Sequence, residues 1–321
     1  MSPIILNWQQ IQPLLKKISV FESMKKGFIK YSQGLSEIPP VGELVMDDPP
    51  GDVHIKYGYI KGGEYYVVKI ASGFSGNKEL GIKPGQGMML LFNLSTGQTE
   101  AILIDDANLT DIRTGIAGAI ISKELACKDI EDALIVGTGV QARHQAKFLC
   151  DLMPIKKLYI WGRDTDKAND AKNDLSDLEV ELNVTSDLSS SVGESRLIIT
   201  TTSSKEPIIQ SDWIRPGTHI TAVGSDTLEK CELDYRILAD ADVIVADSIE
   251  QNLLRGEIHQ AIKHDVINKS RLIEIGQLFD KTKTGRTADS EITVADLTGV
   301  AIQDLVIAEA VLKASLNQEL N

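Results

Sequence analysis

The chain has 321 residues, 42% of them hydrophobic and 25% charged, which is enough to bury a substantial core and favours two domains over one. Thirty-three Lys and Arg stand against 46 Asp and Glu, a formal charge of −13, so the surface repels polyanions and disfavours nucleic acid and acidic membranes as partners. Apolar runs are strand-sized and the N-terminus shows no basic n-region or signal-like apolar core, so a cytoplasmic protein is expected. Cys127, Cys150 and Cys231 are scattered singly, and the five histidines lack a third ligand at useful spacing, so neither a disulfide nor a metal site is expected.

A short strand is expected at residues 4–6, then helices in which Ile11, Leu14, Leu15 and Ile18 recur on one face. Pro39-Pro40 closes that helical region. Strand-sized segments follow at 53–59, 65–70, 88–92 and 100–103, separated by glycine-rich turns such as Lys61-Gly62-Gly63, the pattern of an antiparallel sheet. An Ala-, Ile- and Gly-rich helix over 114–126 leads into alternating strands and helices, which implies a parallel sheet covered on both faces. Seven strands are predicted there, at 133–136, 158–161, 180–184, 197–200, 219–223, 243–246 and 292–295. A final helix around Ile302, Leu305 and Val306 can return to pack on the N-terminal region. The fold class expected is therefore α/β, with a doubly wound Rossmann domain over 119–299 and an α+β domain built from 1–118 and 300–321.

Residues 133–142 read as a buried strand, the turn Gly137-Thr138-Gly139-Val140-Gln141-Ala142 and a helix. In G-x-G-x-x-A the first glycine permits the tight turn, the second admits a pyrophosphate and the alanine keeps helix and sheet close. Free N–H groups and a partial positive charge at the helix N-terminus then meet the phosphates. Thr201 and Val223, beside other strand ends, complete the expected cofactor contacts. The next strand ends at Trp161-Gly162-Arg163-Asp164, where a Rossmann domain selects its ribose. Arg163 suits a 2′-phosphate and favours NADPH, with NADH use left open and a solvated loop charge as the alternative.

Three ionisable residues interrupt segments with little other reason for charge. Lys69 sits in the strand Tyr66-Val67-Val68-Lys69-Ile70-Ala71, where a charge on an exposed sheet face is the alternative. Arg113 falls at the expected start of a helix, against the macrodipole. Asp226 follows the strand end Thr221-Ala222-Val223-Gly224-Ser225, where open α/β sheets bind ligands, with a helix N-cap as its rival. A Lys and an Arg can clamp a carboxylate while an Asp exchanges a proton with a substrate nitrogen.

Taken together, the motifs resemble the ornithine cyclodeaminase/mu-crystallin family over nearly the whole chain. The resemblance rests on Lys69 with Gly76-Asn77, on residues 109–114 (Leu-Thr-Asp-Ile-Arg-Thr), on the glycine turn through Arg143, on Gly224-Ser225-Asp226 with Glu232-Leu233, and on residues 296–304 from Asp296 to Asp304. It implies a substrate-binding and dimerisation domain made from both chain ends, a homodimer, and a site in the cleft beside the Rossmann domain. Lys69 and Arg113 would hold the substrate carboxylate, Asp226 would be the acid/base, and Thr298 and Gly299 would line the same site. One departure stands out: many cyclodeaminases carry an arginine where this chain reads Pro39-Pro40-Val41-Gly42-Glu43-Leu44. Lys56 is the candidate substitute, and Glu43 could meet a cationic group, both with a solvated hairpin charge as the alternative. The expected reaction is NAD(P)H-dependent reduction of a cyclic ketimine carboxylate to proline or pipecolate. Ornithine cyclodeamination, amino-acid dehydrogenation and non-catalytic nucleotide binding remain alternatives.

Overall fold

The computed structural model describes residues 2–319. The chain divides into two units, one holding the residues up to Arg113 with those from Val300 onward, the other Thr114–Gly299.

In the first unit the strand Ile4–Asn7 runs parallel to Thr99–Ile104, and the sheet continues antiparallel through Gly85–Asn93, Tyr65–Gly73 and Pro50–Ile60. Two further strands, Ser36–Glu37 and Gly42–Asp47, pair with Pro50–Ile60. The sequence did not announce them, because an edge strand that leaves Leu44 and Val45 exposed carries no buried-face alternation. Period-two alternation sends Val67 and Lys69 to one face and Val68 and Ile70 to the other. On the first face Val67, Met89, Leu91, Ala101 and Leu103 are fully buried beneath the helix Ala301–Glu319, which also packs on Trp8–Leu15 and Phe21–Ser32. Gly27 sets the close approach of two of these helices, since a Cβ there would lie 2.9 Å from a Val306 methyl. On the opposite face, apolar rows cross the strands: Ile55, Ile70 and Met88, then Tyr57, Val68, Leu90 and Ile102, then Tyr59, Tyr66 and Phe92. The Tyr66 and Phe92 rings stack 4.8 Å apart.

The second unit holds an eight-stranded, wholly parallel sheet. Its order is Glu181–Thr185, Lys157–Trp161, Asp132–Val136, Leu197–Thr200, His219–Ala222, Thr293–Asp296, Val243–Ala246 and Leu272–Glu274. Central strands are buried along their length, which explains their unbroken apolar runs. Three-residue Leu272–Glu274 at the edge is one strand more than the sequence predicted, too short to register as a periodic segment. Strand order reverses between Asp132–Val136 and Leu197–Thr200, so their carboxyl ends flank a topological switch point, the crevice where such sheets bind ligands. The architecture is the α/β, Rossmann-like one expected.

The helix Asn108–Leu125 starts six residues before its predicted boundary. Asp106 and Ala107 adopt left-handed φ values of 51° and 62°, and Asp105 Oδ2 accepts the Leu109 N–H at 2.7 Å, supplying the start signal. Arg113 therefore lies in the second turn, and the expected clash with the helix dipole does not arise. No described helix is long and apolar enough to cross a membrane.

Candidate active site

The glycine turn lies at the switch point. Gly137 has φ 132°, and a Cβ there would overlap Thr201 Oγ1, so only glycine fits. At Gly139 an added Cβ would meet nothing within 4 Å, leaving open space before the helix Val140–Leu152, whose N-terminus has no side-chain cap. Uncapped amides facing an open turn fit a dinucleotide pyrophosphate. Ala142 is buried against the sheet. Arg143, quoted in the motif without a role, donates to the Thr138 carbonyl at 2.7 Å and the Gly139 carbonyl at 3.1 Å, fixing the peptide planes of the turn. A cleft of about 390 Å³ is lined by Gly137 to Gln141, by Gly162 and Arg163, and by Thr201 to Ser204. Arg163 is exposed on its wall. Val223 is nearly buried, donates its N–H to the Thr200 carbonyl at 2.9 Å and is not part of that lining.

Asp226 occupies the loop after His219–Ala222 in the same unit, with its side chain 45% exposed and 2.6 Å from Lys230 Nζ. Sequence reasoning missed Lys230, although a lysine four residues from a candidate acid is a legible partner. Thr298 and Gly299 are held by Asp247, whose carboxylate accepts the Thr298 hydroxyl at 3.0 Å and the Gly299 N–H at 2.6 Å.

In the first unit Lys56 and Lys69 are direct cross-strand partners, and both are buried, as is Arg113. Lys69 thus lies on the covered face of its sheet, against the exposed-charge alternative. Like charges placed opposite each other destabilise a sheet, and Asp304 offsets part of that cost. Its Oδ1 accepts from Arg113 Nε at 2.9 Å, while Lys69 Nζ lies 4.0 Å from Oδ2. Gln303 accepts from Arg113 Nη1 at 2.6 Å. The other buried acid of this unit, Asp105, is pushed up to about 7 by desolvation, against the Leu109 hydrogen bond and with the Asp304 charge adding to the rise. Three buried cations, Lys56, Lys69 and Arg113, therefore share this unit with two buried acids, Asp304 and the raised Asp105, surroundings suited in charge to an anion. Among the described residues no cluster of His, Cys, Asp and Glu is suited to a metal ion.

A Rossmann-like sheet with a glycine cradle at its switch point, carried in one chain with a buried cationic cluster, defines an NAD(P)-dependent oxidoreductase. The ornithine cyclodeaminase/mu-crystallin family model matches residues 1–319, and the chain belongs to that family. It is 39% identical over 274 residues to an uncharacterized cyclodeaminase of Sinorhizobium fredii, covering 85% of this chain and 83% of the relative. It is 30% identical over 325 residues to the alanine dehydrogenase of Archaeoglobus fulgidus, covering 99% and 97%. The Δ1-pyrroline-2-carboxylate reductase of Thermococcus litoralis, solved with NADH and L-proline, superposes with a TM-score of 0.91 at 27% identity, covering 98% of both chains.

The raised Asp105 carboxyl has a consequence for stability. It stabilises the fold below the unfolded carboxylate range near ~4, and that contribution is lost as pH rises through about 7. In urea titrations at pH 5 and pH 8, Asp105→Asn is expected to lessen the wild-type loss of unfolding free energy by about 2 kcal/mol. An equal loss in both proteins would remove this role.

Proposed function

We propose that the chain reduces the C=N bond of a small cyclic ketimine carboxylate, Δ1-pyrroline-2-carboxylate or its six-membered homologue, to the L-imino acid. The observation that carries the reading is the buried set of Lys69 and Arg113 beside Asp304, with Lys56 directly across the strand from Lys69, which in this reading clamps a carboxylate. The name of the Thermococcus litoralis relative supports it. In this reading the unit with both chain ends binds substrate and the Rossmann unit binds the nucleotide. The cations orient the substrate through charge-assisted bonds. Asp226 exchanges Lys230 for the substrate nitrogen, takes up a proton from solvent and passes it to that nitrogen. When bound, the reduced nicotinamide supplies the hydride. Thr298 and Gly299, fixed by Asp247, line the substrate in this reading.

A second reading, redox-neutral cyclodeamination of a diamino acid, draws support from the name of the Sinorhizobium fredii relative. Stoichiometric NAD(P)H oxidation with Δ1-pyrroline-2-carboxylate is the expected result, and Asp226→Asn should lower kcat by at least ~10²-fold. Ammonia release from ornithine with no net change in nicotinamide absorbance would replace the reductase with the cyclodeaminase.

For the cofactor we propose NADPH, on the exposed Arg163 guanidinium of the cleft wall. Arg163→Ala is expected to raise KM for NADPH roughly tenfold, one charge-assisted contact, and to leave KM for NADH unchanged. Equal effects on both cofactors would count against the 2′-phosphate contact.

We also propose a homodimer through the apolar rows of the seven-stranded sheet, a face whose apolar character suits a second copy. The archaeal alanine dehydrogenase structure is described as a dimer. Sedimentation equilibrium should give twice the 35.1 kDa chain mass, reverting to monomer in Leu90→Lys. A wild-type monomer at micromolar concentration would overturn this.

A further inference from the structure

Between Asp226 and Asp234 lies a carboxylate to which the proposed reaction assigns no part. Glu232 is fully buried. Its Oε1 accepts the Thr202 N–H at 2.5 Å, and its Oε2 accepts the Gly224 N–H at 2.9 Å and the Thr200 hydroxyl at 2.7 Å. Its own N–H donates to Glu257 Oε1 at 2.8 Å, and its carbonyl accepts from Ile208 at 2.8 Å and Ile209 at 3.1 Å. Thr202 and Ile208 line the nucleotide cleft, while Gly224 lies two residues before Asp226. A Cβ on Gly224 would come within 2.6 Å of both Glu232 Oε2 and the Thr202 nitrogen, so the glycine is what lets one carboxylate bridge two loops. A buried N–H left without a partner costs about 1–3 kcal/mol. Neither loop can drift without paying that penalty.

We propose that Glu232 is a positioning residue that locks the cleft wall at Thr202 to the loop carrying Asp226. It holds the proton donor in register with the nucleotide and touches neither substrate nor cofactor. The inference rests on the reading of Asp226 as the acid.

Glu232→Gln keeps the shape but sets an NH₂ group against a backbone N–H. Expected is a fall in kcat for ketimine reduction of roughly 10–100-fold. KM for the ketimine and Kd for NADPH, the latter read by fluorescence titration, should stay within about threefold, less than 1 kcal/mol. Amide hydrogen exchange at Thr202 and Gly224 should accelerate. Thr200→Val, which removes one donor and leaves both N–H bonds, should give the same pattern more weakly, and it carries the test if Glu232→Gln does not fold. A kcat within about twofold of wild type, under 0.5 kcal/mol, or a joint decline of kcat, cofactor affinity and melting temperature, would overturn the proposal. Should the wild-type enzyme reduce no ketimine, the functional reading is lost. Unchanged exchange at Thr202 and Gly224 in Glu232→Gln would then separately overturn the coupling, and accelerated exchange would sustain it.

Discussion

Taking charge out of water is the constraint around which both units are organised. An ion moved into a low-dielectric interior loses several kcal/mol of hydration even after relaxation, and an opposite charge or converging dipoles must replace it. The first unit meets this with Asp304, which stands between Lys69 and Arg113 on the covered face of the sheet. Lys56 adds a third buried cation directly opposite Lys69, so among the described residues buried cations outnumber the unit's buried acids, Asp105 and Asp304. A protein selected for stability alone would place apolar side chains there, as it does further along the same cross-strand row at Met89 and Leu103. Retaining the cations at that cost is the physical ground for expecting an anionic ligand.

In the second unit the sign is reversed and the solution differs. Glu232, Asp247, Glu257 and Asp296 are buried near the carboxyl ends of the parallel strands, and each accepts backbone N–H groups. Asp247 takes Gly299, Glu257 takes Glu232 and Leu233, and Asp296 takes Ile258. Loops at strand ends leave amides that no ladder satisfies, and carboxylates are the strongest acceptors for them. Desolvation pushes Glu232 and Asp296 up to about 7 even so. The loops above the sheet thus gain definite conformations from side chains beneath them, without needing length or regular structure of their own.

Features written in contiguous residues were legible before any coordinates. The glycine turn is local: strand, turn and helix occupy residues 132–152, and each glycine has a job that the backbone imposes there. The antiparallel strands from Pro50 to Ile104 were equally plain, since alternation is a short-range signal. What escaped depends on distance or register. Asp304 bonds to Arg113 across 191 residues, and nothing near either residue names the other, although an acid between Ile302 and Leu305 in a buried helix was a hint. That Lys56 meets Lys69 follows from the hairpin register, which only the turn geometry settles. Arg113 was misplaced by a turn because the helix start is encoded in the left-handed pair Asp106 and Ala107 and the Asp105 cap, not in the apolar run that follows.

The two sets of charged residues also differ in freedom, and the difference suits their tasks. Lys69 and Arg113 are packed into a covered face, with Arg113 tied by two side-chain bonds, so their positions are settled before a ligand arrives. Binding the proposed substrate carboxylate there would cost little ordering entropy, which is the advantage of a preorganised site. The proton donor proposed for the reaction needs the opposite quality. Asp226 keeps 45% of its side chain exposed and shares its carboxylate with a half-exposed lysine, an ion pair weak enough to be exchanged for another partner. The backbone two residues before it is tied through the Gly224 N–H to Glu232, which leaves the freedom in the side chain that, in the proposed mechanism, gains and loses a proton.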